Sequence, residues 1–110
     1  MNESPVRYVA AFWRSRPGTA GSIASAWHLF SAWTMRHQPG VREMRLLRSD
    51  DDPPLFLALS TWADAEAIRA WRATPEHRAF TLDIATLCQE VSYHELTLAG
   101  ERLFWAEARE

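Results

Sequence analysis

The stretch Leu55–Phe80, LFLALSTWADAEAIRAWRATPEHRAF, decides how the chain reads. Leu55, Leu57 and Leu59 alternate with Phe56, Ala58, Ser60 and Trp62, the two-residue period of a strand with two distinct faces. The period changes at Asp64, a favoured N-cap, and Ala65, Ile68 and Trp71 then recur at helical spacing. Thr74-Pro75 predicts a fresh helix start, with Thr as cap and Pro at the first helical position. On one strand face, small Ala58 and Ser60 lie between bulky Phe56 and Trp62. Small residues in the middle and aromatics at the rim leave room for a flat ligand.

Working outward, Val6–Arg14 (VRYVAAFWR) predicts a first strand, and Ser15-Arg16-Pro17-Gly18 breaks it. Residues 20–37 read as a helix with Ile23, Trp27, Phe30 and Thr34 along one stripe, and Thr19 or Ser22 as its cap. Gln38-Pro39-Gly40 stops that helix, and Val41–Arg48 is a second strand. Residues 49–54 are too polar and Pro-rich for sheet and predict a hairpin loop. The helical region after Asp64 runs to about Cys88, Glu90–Leu98 is the last strand, and a tail begins at Gly100. The order β-α-β-β-α-β predicts a ferredoxin-like α+β fold: an antiparallel four-stranded sheet with its helices on one face.

Strand one carries Tyr8, Ala10 and Phe12 on one side and Val9, Ala11 and Trp13 on the other, so the bare face cannot be named from alternation alone. Strand three is likewise apolar on both sides. Helices cover only one face, so the pattern predicts a homodimer, sheet against sheet, clamped by Leu103, Phe104 and Trp105 of the tail. One domain spans residues 1–110, with its core in 6–98 and the tail in 99–110.

Composition narrows the function classes. The net charge is −2, which attracts neither nucleic acid nor an anionic membrane. No apolar run approaches a bilayer span and the N-terminus has no signal-peptide core, so the expected location is cytoplasmic. The single cysteine, Cys88, excludes an internal disulfide and a Cys-based metal cage. All twelve basic residues are Arg, so Schiff-base chemistry on lysine is ruled out. Six tryptophans point to cores, interfaces or aromatic ligand sites.

On this frame, Pro39-Gly40, Leu46-Leu47-Arg48, Trp62, Asp64, Glu66-Ala67, Trp71 and Pro75-Glu76-His77 follow one another in an order that resembles the antibiotic biosynthesis monooxygenase domain family. The resemblance covers roughly residues 6–98 and implies a dimeric α+β barrel. One group within that family oxidises anthrone-type aromatics with dioxygen and without metal or flavin, using an Asn four residues before the strand-three Trp. Trp62 matches that Trp, and the Asn position is Ala58. A second group degrades haem, using a strand-one Asn, a helix-two Trp and a His about ten residues later. Trp71 matches that Trp, the strand-one position lies near Phe12, and the ligand position falls near Phe80 or Thr81, with His77 a turn early. The lone asparagine is Asn2, so neither set is intact.

The residues themselves allow two readings each. Trp62 can stack on a planar substrate or donate its indole N–H to a substrate oxygen; equally, it can be a core residue at the strand–helix junction. Trp71, beside Ile68 on the buried stripe, can wall a cavity or simply pack. His77 shares a face with Phe80 or Thr81 and Ile84, so burial would keep its ring neutral and able to accept a proton. Its alternative is a half-exposed ring at the third helical position. Phe56, Ala58, Ser60, Phe12, Trp27, Trp71 and Phe80 form the expected substrate-binding set, with His77 and Trp62 as the catalytic pair. Tyr8 and Tyr93 can donate to a quinone or phenol, or pack. Arg42, Arg45 and Arg48 are expected to pair with Glu43 or the Asp50–Asp52 loop. His28 and His37 lie on the polar side of their helix and His94 has no second ligand beside it, so no metal site is expected.

The leading expectation is therefore a homodimer that oxygenates a flat aromatic, anthrone- or quinol-like small molecule without a tightly bound cofactor. The alternatives are a haem-binding, haem-degrading monooxygenase and a non-catalytic module that binds a small ligand.

Overall fold

The computed structural model describes residues 6–104. Four strands and three helices follow in the order β1 (Arg7–Ser15), α1 (Ala20–His37), β2 (Val41–Arg48), β3 (Leu55–Trp62), α2 (Ala65–Arg72), α3 (Pro75–Leu87) and β4 (Cys88–Thr97). The strands form one antiparallel sheet in the order β2-β3-β1-β4. This is the ferredoxin-like α+β arrangement that the element order predicts. The last strand starts at Cys88, directly after α3, two residues before the expected Glu90.

Local chemistry explains the boundaries. The Asp64 carboxylate accepts the Ala67 N–H at 2.8 Å, and the Thr74 hydroxyl accepts the His77 N–H at 3.1 Å. Each side chain satisfies one amide that the helix leaves unpaired, and Pro75 lacks the N–H that would otherwise need a partner. Neither expected cap of α1 works this way. Thr19 occupies the N-cap position but donates its hydroxyl to the carbonyls of Arg16 and Leu87, both at 2.8 Å, tying the β1–α1 turn to the end of α3.

Register fixes what each face of the sheet carries. Trp13 lies opposite Phe56, Ala11 opposite Ala58 and Val9 opposite Ser60; on the other side Val91 faces Trp13 and Tyr93 faces Ala11. These residues form the inner face, beneath the helices. One buried cluster joins Trp13, Ile23, Phe56 and Ile84; a second joins Phe30, Trp62, Ile68 and Trp71. Tyr8, Ala10 and Phe12 therefore belong to the outer face, with Leu47, Leu57, Leu59 and Leu96 from neighbouring strands. Phe12, Leu47 and Leu96 are exposed on it, as are Leu103 and Phe104 of the tail; Trp105 lies outside the described residues. Of the arginines on β2, Arg45 pairs with Glu43 as expected, whereas Arg48 sits over the Phe56 ring, 5.9 Å from its centroid. Among the described residues no helix is long and apolar enough to cross a membrane.

Gly40 sets the approach of α2 to the sheet. Its carbonyl accepts the Ala63 N–H at 2.8 Å, and a Cβ built on it would overlap the Ala67 methyl in the first turn of α2. The backbones meet there because neither residue has bulk to spare. Gly40→Ala is expected to destabilise the fold by about 1–3 kcal/mol, the usual range for overpacking. Ala67→Gly in the same chain should recover part of the loss, although a helical glycine alone costs about 1 kcal/mol. Urea unfolding of the two single variants and the double variant checks this. Additive losses would show that the two positions do not clash.

Candidate functional site

Between the inner face and the helices lies a ring-walled chamber with about 40 Å³ of internal space. Val9, Ala11 and Trp13 of β1, Ala58 and Ser60 of β3, and Tyr93 of β4 line its floor. Trp27 and Phe30 of α1, Trp71 of α2, and His77 and Phe80 of α3 form its walls. Small side chains at positions 11, 58 and 60 keep the floor low, as the alternation in β3 predicts. The space is nonetheless much smaller than a planar guest requires. A water needs about 10–15 Å³ of such space, and a cavity of about 150 Å³ takes benzene. The chamber expected from sequence exists, but in this state it is sized for water. The reason is Phe80, which stacks on Phe30 at 4.2 Å between centroids and sets its edge against Trp13 at 5.7 Å.

A wider, solvent-open hollow of about 290 Å³ lies outside the chamber, lined by Arg72, His77, Arg78, Thr81 and Tyr93. Arg72, His77, Thr81 and Tyr93 line both spaces and so form the partition between them. Arg72 is paired with Glu95 of β4 at 3.1 Å, while among the described residues Arg78 forms no ion pair.

His77 is the most chemically distinctive group here. Its ring packs edge-on against Trp71 at 4.6 Å and against Phe30 at 5.8 Å, and among the described residues it makes no side-chain hydrogen bond. Burial in this aromatic cage, helped by the nearby Arg72 guanidinium, pushes its pKa down to about 4. The imidazole is therefore neutral at pH 7 and faces both spaces. Tyr93 moves the other way: burial raises its pKa, against a smaller opposing pull from the Trp13 indole. The Trp13 N–H is near enough to favour the phenolate but falls outside hydrogen-bond geometry, since buried Nε1 has no partner.

The remaining expected residues sort by face and depth. Trp27, Ala58, Ser60, Trp71, His77 and Phe80 come together around the chamber. Trp62 does not line it. Fully buried, it lies behind Trp71 with ring centroids 4.6 Å apart and spends its indole N–H on the Ser60 hydroxyl at 2.8 Å, leaving no donor for a ligand. Phe56 is packed into the core with Trp13, Ile23 and Ile84, beyond the end of the chamber. Phe12 is on the opposite side of the sheet, because odd-numbered residues of β1 face the helices. Trp71 directs its own N–H to the Thr34 hydroxyl at 3.1 Å. Sequence reasoning missed Trp13, Phe30 and Arg72. The parity of Val9 and Ala11 was the signal for Trp13, and the Ile23–Thr34 stripe was the signal for Phe30.

Among the described residues no group of three His, Cys, Asp or Glu could hold a metal ion. At about 40 Å³ the chamber in this state holds no haem, as it holds no other planar guest.

Comparison with known proteins places this geometry. No curated protein matches the chain by sequence. Solved structures with the same fold include SnoaB, a cofactor-independent oxygenase from Streptomyces nogalater, at 22% identity and a TM-score of 0.74, covering 87% of this chain and 94% of that one. PA3566 from Pseudomonas aeruginosa is similar at 21% identity and a TM-score of 0.76, covering 91% of this chain and all of its own. Rv0793 from Mycobacterium tuberculosis matches at 21% identity and a TM-score of 0.75, covering 87% and 97%. The family model for antibiotic biosynthesis monooxygenases matches residues 6–81, which hold β1 to β3, α2 and the half of α3 that carries His77 and Phe80. The chain belongs to the antibiotic biosynthesis monooxygenase family.

Proposed function

We propose that the protein is a small monooxygenase that oxygenates an aromatic carbon acid or quinol with dioxygen and no tightly bound cofactor. The observation that carries this is a neutral imidazole, His77, held in an aromatic cage at the boundary between a water-sized chamber and an open hollow. Cofactor-free oxygenation needs an electron-rich anion, because a neutral aromatic gives up an electron to dioxygen too reluctantly. His77 takes a proton from the activated CH₂ or phenol, and the resulting anion passes one electron to dioxygen. Recombination of the radical with superoxide forms a C–O bond, and the peroxide recovers the proton from the His77 imidazolium. Loss of the remaining C–H proton with cleavage of the O–O bond leaves a carbonyl and one water, so CH₂ and O₂ become C=O and H₂O.

An aromatic ring reaches His77 through the outer hollow and enters the chamber only as Phe80 leaves its stack on Phe30. Ala58 and Ser60 then supply the flat floor beneath it, and Trp27 and Trp71 the walls. Trp62 acts behind that wall, as support for Trp71. Catalysis is tested by oxygen uptake with anthrone and hydroquinone substrates. His77→Ala is expected to lower kcat by about 100-fold or more, the usual worth of a positioned general base. In the wild type the acid limb of kcat/KM should fall near pH 4, where His77 protonates, well below the 6.5 of a free imidazole. Saturable binding without oxygen uptake would instead identify a ligand-sequestering module.

The same shift makes a stability prediction. Unfolding returns His77 to a pKa near 6.5, so the unfolded chain binds the proton first as pH falls. The contribution of the neutral ring is complete above about pH 6.5 and is lost as the pH drops through 4. Urea midpoints between pH 7.5 and 4 should fall less steeply for His77→Gln than for the wild type. Parallel profiles would place the imidazole in water.

The outer sheet face supports a homodimer. Its exposed Phe12, Leu47 and Leu96 flank half-buried Leu57 and Leu59, a contiguous apolar surface that water covers poorly. A second copy seated on it would be clamped by Leu103 and Phe104 of the tail. Native mass spectrometry should give twice the chain mass for the wild type and a monomer for Leu47→Glu. A monomeric wild type at micromolar concentration rules the pairing out.

A further inference from the structure

Three buried tryptophans lie on the helix-covered side of the sheet among the described residues, and the indole N–H groups of two of them have hydroxyl partners. Trp62 donates to Ser60 at 2.8 Å and Trp71 to Thr34 at 3.1 Å. The third, on Trp13, is buried with no partner, although its residue is only 1% exposed and lines the chamber floor. A buried donor left unpaired costs about 1–3 kcal/mol, so folds rarely keep one without a use. Its neighbour on the floor is Tyr93. Val91 is opposite Trp13 and Ala11 is opposite Tyr93, which makes Trp13 and Tyr93 diagonal neighbours on one face, a spacing of about 7–8 Å that two aromatic side chains span. The Tyr93 phenol, which lines the same chamber, adds an O–H as a second donor beside the Trp13 N–H.

The other end of the path carries charge. Arg72 and Arg78 line the outer hollow, and Arg78 has no carboxylate partner among the described residues. Between the donor pair and these guanidinium groups run the apolar walls of Trp27, Phe30, Trp71 and Phe80. We infer that the site takes an aromatic ligand with two handles: an acceptor oxygen, carbonyl or phenolic, that docks on Trp13 Nε1–H and the Tyr93 hydroxyl, and an anionic group held at the rim by Arg78 and Arg72. The inference rests on the reading of the chamber as the substrate site and narrows its substrate class to aromatic acids that carry a second oxygen. Neutral polycycles lack the rim handle, and plain aromatic acids lack the floor handle. With the carboxylate anchored outside, the oxygen-bearing end is driven inward, which presents the activated carbon to His77 at the partition.

Three compounds of matched shape separate the two handles without any need for turnover. 4-Acetylbenzoate has both, 4-ethylbenzoate lacks the acceptor oxygen, and methyl 4-acetylbenzoate lacks the charge. Calorimetric titration of the wild type should rank 4-acetylbenzoate about 5- to 10-fold tighter than 4-ethylbenzoate, the worth of one such hydrogen bond. That preference should vanish in Trp13→Phe and shrink in Tyr93→Phe. The preference for the acid over its ester should shrink in Arg78→Gln. Because Trp13→Phe also removes core volume, the wild-type indole N–H resonance of Trp13 provides an independent reading: it should move downfield with 4-acetylbenzoate and stay in place with 4-ethylbenzoate. Equal affinity for all three compounds, an unmoved Trp13 resonance, or no binding at millimolar concentration overturns the inference. A protein that consumes oxygen with hydroquinones yet fails these tests keeps its oxygenase assignment and loses the two-handle recognition. One that passes them without oxygen uptake does the reverse.

Discussion

The helix-covered half of the molecule depends on Phe30. Its ring stacks on Phe80 of α3 at 4.2 Å, lies against Trp71 of α2 and Trp33 of its own helix, each at 5.8 Å, and meets the edge of His77 at 5.8 Å. One side chain from α1 thus joins the other two helices, and Trp71 carries the contact to the sheet through Trp62 at 4.6 Å. Aromatic pairs of this kind add about 0.5–1.5 kcal/mol each beyond the area they bury. Loss of this ring would leave α2 and α3 joined mainly by the Trp71–His77 contact at 4.6 Å. It would also remove the surface that keeps the chamber narrow and the cage that keeps His77 neutral.

Packing and protonation are therefore one constraint. The rings that close the chamber shield one side of the half-buried His77 from water, and the Arg72 guanidinium nearby raises the cost of a second positive charge. On the proposed reading, a ligand that displaced Phe80 would exchange one apolar wall for another and would leave the imidazole shielded on that side. The buried polar groups follow a similar economy. Ser60 and Thr34 sit where two indoles need acceptors, and their hydroxyl oxygens accept those N–H groups. Trp13, Tyr93 and His77 spread the remaining polarity from floor to partition, with Arg72 at the rim.

What could be read from the chain was what local chemistry controls. The Asp64 and Thr74-Pro75 helix starts depend on a side chain and amides within three residues, and both formed as the spacing predicts. The floor of Ala58 and Ser60 follows from strand alternation alone. Phe12 could not be placed, because β1 is apolar on both faces and alternation gives two faces without saying which one the helices cover. Register with β3 answers that, and register is a long-range property. The role of Trp62 was half legible: Ser60 is two residues away on the same face, within reach of its N–H. The volume of the chamber was not legible at all, since it depends on a ring pair fifty positions apart in the chain, Phe30 on Phe80.

The sheet order also separates the two surfaces that the chain would use. β4 is an edge strand, and the partition residues Tyr93 on its inner face and His77 on α3 lie along that edge. The apolar outer face is centred on β1 and β3, which are the interior strands. A second copy seated there covers Phe12 and Leu57 from the side opposite the helices and leaves the arginine-lined hollow open to solvent. Of the three helices α2 has the slightest hold on the sheet: it is eight residues long and meets β3 through Ile68 and Trp71. On the proposed reading the sheet would serve assembly on one side and ligand binding on the other, because the pleat sends alternate residues of the same strands to opposite faces.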